Sequence, residues 1–163
     1  GGFITLKLVT MFPERLLTAI PCAAGWDRPT PENASLLDGV AEALDAGQGF
    51  TPLLEKIEGL GRKPNHVMIF ITDRLMRLIN DVPALAALMR RFIDLAVNEE
   101  ELRGNTVPVL SIIGTHDPLR TGVDNMIGVM GNHEAVFVQR GDHTTTMFDP
   151  VYIQSLTSFL DRH

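Results

Sequence analysis

Thr106-Val107-Pro108-Val109-Leu110-Ser111-Ile112-Ile113-Gly114-Thr115-His116-Asp117 is the stretch on which the rest of this chain is read. Its first eight residues are an apolar, β-branched run. That length and composition suit a strand buried on both faces. Gly114 then lets the chain turn off the strand, three residues before Asp117. Downstream, residues 134–139 (EAVFVQ) read as a second strand, followed by Gly141-Asp142-His143, and residues 120–130 between them read as a helix. Buried strands separated by a helix imply neighbouring parallel strands joined by a right-handed crossover. In open α/β sheets functional groups gather at the carboxyl ends of strands, and these two ends carry Asp117 and His143.

Moving outward, residues 2–12 hold Phe3, Ile4, Leu6, Leu8, Val9, Met11 and Phe12 on more than one face, as in a helix buried within a domain, and Pro13 stops it. Leu16 to Ala24 (LLTAIPCAA) reads as a third, short buried strand ended by Gly25 and a Pro29/Pro31 loop. From 33 to about 103 the pattern is helical. Asn33 is placed to cap a helix with the stripe Leu36, Leu37, Val40, Ala43 and Leu44, closing at Gly47. Thr51-Pro52 opens another, with Leu53, Leu54 and Ile57 inward. Val67 to Ile71 is open to a strand reading, but Leu75, Leu78 and Ile79 continue a helical period, so helix is expected over 67–79. Asp81 caps a helix presenting Leu85, Leu88, Met89, Phe92 and Leu95, and residues 146–161 form a last amphipathic helix.

Composition bounds the function. With 163 residues and 45% apolar content the chain has material for a real core. A net charge of −6 with interspersed charges leaves no basic stripe to neutralise phosphates, which argues against a nucleic-acid partner. Apolar runs are too short for a membrane span, and Cys22 is the single cysteine, so no intrachain disulfide forms. The chain opens inside an ordered element and offers no targeting signal, so compartment is not legible and preceding sequence is expected.

An acid that orients an imidazole, and an imidazole that takes a proton from a nucleophile, need to emerge from adjacent strands. The order nucleophile, acid, histidine is that of α/β-hydrolases. Gly1-Gly2-Phe3-Ile4-Thr5-Leu6-Lys7-Leu8 followed by Phe12-Pro13-Glu14-Arg15-Leu16 resembles the stretch just after the nucleophile elbow of that family. Val107-Pro108-Val109 into Gly114–Asp117 resembles its acid strand, Gly141-Asp142-His143 its histidine loop, and Phe148-Asp149-Pro150 to Phe159-Leu160 its last helix. The resemblance implies a partial α/β-hydrolase fold, a single incomplete domain over 1–163 with a helical cap at 26–104. It also implies Asp117 and His143 as catalytic residues and a small-molecule, ester-like substrate, without cofactor or metal. The expected nucleophile is a Ser two positions before Gly1, since Ser35, Ser111, Ser155 and Ser158 lie in no suitable context. Oligomeric state is not legible.

Other readings stay open. The missing nucleophile is an Asp in haloalkane dehalogenases and epoxide hydrolases. The chain also suits a non-catalytic remnant whose 16–24 strand would be an exposed apolar edge. Asp117 before Pro118 suits a helix cap, His143 a structural histidine bonded to Asp142, and Asp27 an alternative acid. His116 reads as a loop residue. A metal site from His116, Asp117, Asp142 and His143 has no supporting spacing, and Cys22 is expected to pack as a small apolar residue.

Overall fold

The structure, a computed structural model, describes residues 1–28, 31–59 and 66–163, with backbone alone at 31–34, 36 and 56–59. The chain divides into two compact units, Gly1–Arg28 with Leu95–His163, and Pro29–Asp94.

The first unit is built on strand β1 (Val109–Gly114), every residue of which is buried. It pairs in parallel with β2 (His133–Val138), Val109 standing opposite His133 and Gly114 opposite Val138. β1 starts later than the apolar run because Asn105 takes both backbone groups of Val107, its Oδ1 accepting the amide at 2.9 Å and its Nδ2 donating to the carbonyl at 2.7 Å. Side chains alternate across the sheet. Val109 joins Leu6 and Val9 of helix α1 (Gly2–Met11), Trp26, Leu102 and Met126 in one cluster. Leu110 and Ile112 join Val138 and Phe159 in another, with Tyr152 and Leu156 packed against it. Burying a Leu or Ile side chain contributes about 1.5–3 kcal/mol, so a strand covered on both faces anchors the unit.

The expected third strand is not a strand. Ala19 makes a single parallel bridge to Val109, its amide donating to Pro108 O and its carbonyl accepting from Leu110 N, both at 3.0 Å. The next donor in the ladder would be Pro21, which has no N–H, and Cys22 N–H folds back to Ile20 O at 3.0 Å. Contact with β1 resumes only at Ala23, whose amide donates to Ile112 O at 3.2 Å. Cys22, half-buried, accepts a 3.2 Å hydrogen bond from the Tyr152 hydroxyl instead of packing as a purely apolar group.

Two helix boundaries also differ from expectation. The last helix, α8 (Pro150–Leu160), follows a separate 3₁₀ turn at Thr146–Phe148. Asp149 precedes a proline and is extended (φ −76°, ψ 135°), so it ends the turn and caps the helix by accepting Val151 N–H at 2.8 Å. Helix α7 (Arg120–Met126) is shorter than predicted, with Gly128 turning the chain at φ +83°. Where the second unit is inserted, Trp26 Nε1–H donates to Val97 O at 2.9 Å and Arg28 pairs with Glu99 at 2.8 Å. The capping box of the short helix α6 (Glu99–Arg103), Asn98 with Glu101, follows directly.

The second unit is helical: α2 (Pro31–Asp45), α3 (Thr51–Gly59), α4 (His66–Ile79) and α5 (Val82–Arg90). Val40, Leu44, Phe50 and Ala86 form its core, flanked by Leu53, Leu54, Met76, Leu85 and Met89. α2 begins two residues before Asn33, whose side chain, like those of Leu36 and Ile57, lies outside the described residues. Asp81 caps α5 by accepting Ala84 N–H at 3.0 Å. That helix stops at Arg90, so Phe92 and Leu95 fall in a following 3₁₀ turn and Leu88 is exposed. Buried Asp73 accepts from Phe50 N–H and from Arg77 Nε, while Arg77 also donates to Gly47 O at 2.6 Å. Among the described residues no helix is long and apolar enough to cross a membrane.

Candidate active site

Both strand ends open into loops that are laced to one another. Thr115 N–H donates to Val138 O and His116 N–H to Gly141 O, each at 2.9 Å. Arg140, in the left-handed region at φ +61°, returns its amide to Thr115 Oγ1 at 2.9 Å. The parallel pairing of β1 and β2 thus continues past the last strand residues, and it brings the segments after them side by side.

Gly114 and Gly141 sit where these loops cross. Neither has positive φ, so the turn itself does not require glycine, contrary to the sequence reading. What requires it is space. A Cβ on Gly114 would collide with the Gly141 carbonyl, and one on Gly141 would lie 2.6 Å from Thr146 Oγ1.

The close crossing sets Asp117 beside His143. Asp117 is buried, its side chain fully so, and His143 Nδ1 lies 3.0 Å from Oδ2 and 3.3 Å from Oδ1. Oδ1 also accepts Leu119 N–H at 2.9 Å. Asp117 therefore ties the turn after it without capping helix α7, whose N-cap Leu119 has no side-chain cap hydrogen bond, and it faces the imidazole as well. His143 keeps 38% of its side chain exposed, so one ring edge is held by a buried carboxylate while solvent still reaches the ring. The Asp117 hydrogen bond raises the pKa of His143 above the ordinary 6.5, against the opposing effect of burial and with help from the charges of Asp117 and Asp142.

Asp142 is not a partner of the ring. Its Oδ1 accepts from the amides and hydroxyls of Thr144 and Thr145 at 2.8–3.0 Å, and its amide donates to Thr145 Oγ1 at 3.1 Å. Partial burial pushes its carboxyl up, but these hydrogen bonds outweigh that and hold it at about 2. Asp27, the alternative acid, is exposed and accepts from Asn125 Nδ2 at 2.8 Å. His116 is an exposed loop residue. Among the described residues no three or more His, Cys, Asp or Glu side chains are grouped to hold a metal ion.

No protein-family model and no curated protein matches the sequence. Solved structures do. A thermophilic esterase from Thermogutta terrifontis superposes with a TM-score of 0.78 at 20% identity, over 99% of this chain and 61% of its own. MenH from S. aureus gives 0.77 at 19% identity, over 99% and 65%. An alpha/beta hydrolase enzyme from a Medee basin deep-sea metagenome library gives 0.68 at 18%, over 99% and 62%. The chain has a partial α/β-hydrolase fold.

It spans just over three fifths of the length of these hydrolase-fold structures. β1 and β2 of this chain are neighbouring parallel strands, and Asp117 and His143 lie in the loops that follow their carboxyl ends. Sequence reasoning named both residues but missed Thr146, whose buried hydroxyl stands at the loop crossing. The one available signal was the run Thr144-Thr145-Thr146 directly after a histidine loop. It missed His133 as well. That imidazole shares a 2.9 Å hydrogen bond between Nε2 and the buried Ser111 Oγ, at the start of β2 and away from the Asp117–His143 pair.

Proposed function

We propose that this chain carries the acid and the histidine of a serine hydrolase of the carboxylesterase type, whose nucleophile is a Ser two positions before Gly1. The observation that carries the reading is the fully buried Asp117 carboxylate, 3.0 Å from Nδ1 of a half-exposed His143. The esterase among the structural neighbours supports an ester as substrate. The stretch 26–104, which contains the second compact unit Pro29–Asp94, is read as the cap.

The chemistry follows from the geometry. The His143 Nδ1–H donates to Asp117, which fixes the tautomer and leaves Nε2 as the basic nitrogen. Nε2 takes the proton of the serine hydroxyl as its oxygen attacks the ester carbonyl, and Asp117 stabilises the imidazolium that forms. The C–O bond to the alcohol then breaks and the leaving oxygen receives that proton. Water, deprotonated by the same Nε2, attacks the acyl carbon; the bond to the serine oxygen then breaks, that oxygen takes the proton back from Nε2, and the acid is released. No cofactor enters this scheme.

Hydrolysis of a short-chain aryl ester by the full-length protein tests the reading, with His143→Ala alongside. Turnover lost by roughly a thousandfold or more is expected. Near-normal turnover in the variant ends the assignment. The codon two positions before that of Gly1 separates the chemistries, since an Asp there moves the reading to alkyl-enzyme formation on a carboxylate nucleophile.

A further inference from the structure

Of the buried polar groups around the loop crossing, one is used by neither the acid nor the histidine. Thr146 is 3% exposed and opens the 3₁₀ turn that follows the His143 loop. Its Oγ1–H donates to the Asp142 carbonyl at 2.6 Å, and its own amide points to the same oxygen at 3.3 Å. That carbonyl belongs to the peptide bond leading into His143. The hydroxyl also occupies the space beside both crossing glycines, 2.6 Å from where a Cβ would stand on either.

We propose that Thr146 is a positioning residue for His143, its hydroxyl clamping the Asp142–His143 peptide against the Gly114–Gly141 crossing and so holding the imidazole on Asp117. The inference rests on reading Asp117 and His143 as an acid–base pair. The argument is one of constraint. The loop 142–145, exposed from His143 onward, is tied by bonds among its own residues, which shape the turn but do not fix it to the sheet. Oγ1 reaches from the buried first residue of the turn back across the loop, where a short, shielded hydrogen bond is strongest. A valine at 146 has nearly the same shape but no donor, and leaves the Asp142 carbonyl with its long amide contact alone. Serine keeps the donor.

The test is a side-chain nitrogen–proton NMR titration of His143 in the full-length protein, comparing wild type, Thr146→Val, Thr146→Ser and Asp117→Asn. The expected result is a His143 midpoint that falls toward the ordinary histidine value in Thr146→Val and returns in Thr146→Ser. Within an Asp117→Asn background, Thr146→Val is expected to cause no further shift, because the contact through which it acts is already gone. An unchanged midpoint in a folded Thr146→Val protein overturns the proposal, as does a full additional shift in the Asp117→Asn background. Should Thr146→Val not fold, the wild-type chain decides: a Thr146 hydroxyl proton slow to exchange with water supports the clamp, and fast exchange overturns it. No arm uses turnover. A shifted midpoint combined with an inactive full-length protein would therefore retain the clamp and remove the hydrolase reading.

Discussion

His143 and Asp117 make the sharpest predictions. Asp117→Asn preserves shape but offers Nδ1 an amide in place of a carboxylate, so on the proposed mechanism ester turnover by the full-length protein is expected to fall on the order of 10³–10⁴-fold with KM little changed. Esterase kinetics on that variant check it, and a loss of less than tenfold would remove Asp117 from the mechanism. A base must be neutral to accept a proton, so activity should rise with pH through a midpoint above 6.5, and Asp117→Asn should move that midpoint down. Stability behaves differently. The folded-state pKa of His143 is raised, so its contribution is complete below 6.5 and is lost as pH rises through that higher value. Burial lowers the pKa of His133, against the pull of the Met126 carbonyl, so protonation opposes folding and stability is lost as pH falls below 6.5. Thermal melts across pH 5 to 9, roughly, should show His143→Gln flattening the alkaline limb and His133→Gln the acid one. If both variants keep the wild-type profile, neither histidine is coupled to folding as described.

Among the elements, β1 carries the heaviest packing. Ile112 is fully buried in the cluster with Leu110, Val138 and Phe159, and Ile112→Ala should cost about 2–5 kcal/mol, read from denaturant unfolding. Asp149→Ala removes the single side-chain cap of α8 and should cost about 1 kcal/mol, a fraction of the strand variant. Equal effects would mean that helix termination, not the covered strand, sets the stability of this unit. Legibility in the sequence follows the same division. β1 was readable because a strand buried at every position must be apolar, and β2, only partly buried, because its apolar stretch stands between a helix and a loop. The segment 16–24 has the same apolar composition yet pairs only at Ala19, since Pro21 lacks the donor the ladder needs. Composition reports burial; pairing depends on which amides are free to donate.

For the molecule as a whole, the exposed apolar surface sets the expectation. Ile4, Leu8, Met11 and Phe12 on and just after α1, with Leu17 at 87% exposure, are large apolar side chains left at the surface. In the other unit α4 exposes Val67, Phe70, Ile71, Leu75, Leu78 and Ile79. Surfaces of this kind drive self-association. The 163-residue polypeptide alone is therefore expected to elute as oligomer or aggregate in size-exclusion chromatography with light scattering, and to hydrolyse no ester. A monomeric, cooperatively melting and esterolytic chain would contradict both expectations and require a nucleophile within residues 1–163.

That Asp117 and His143 stand side by side was legible because each follows a recognisable apolar strand by a few residues, and strand order with a crossover helix leaves little choice about which ends are neighbours. The alternatives to them were not resolvable in one dimension. Asp142 is adjacent to His143 in the chain and Asp27 also follows an apolar segment, yet the first is taken up by Thr144 and Thr145 and the second by Asn125. The role of the two glycines was assigned to the wrong cause for the same reason: a need for conformational freedom and a need for empty space look alike in a sequence. Periodicity records which side of an element is buried, a local property written into every residue. The meeting of Gly114, Gly141 and Thr146, and the hydrogen bond from His143 to Asp117 beside them, depend on how two loops more than twenty residues apart pass one another. That is a property of the packed sheet alone.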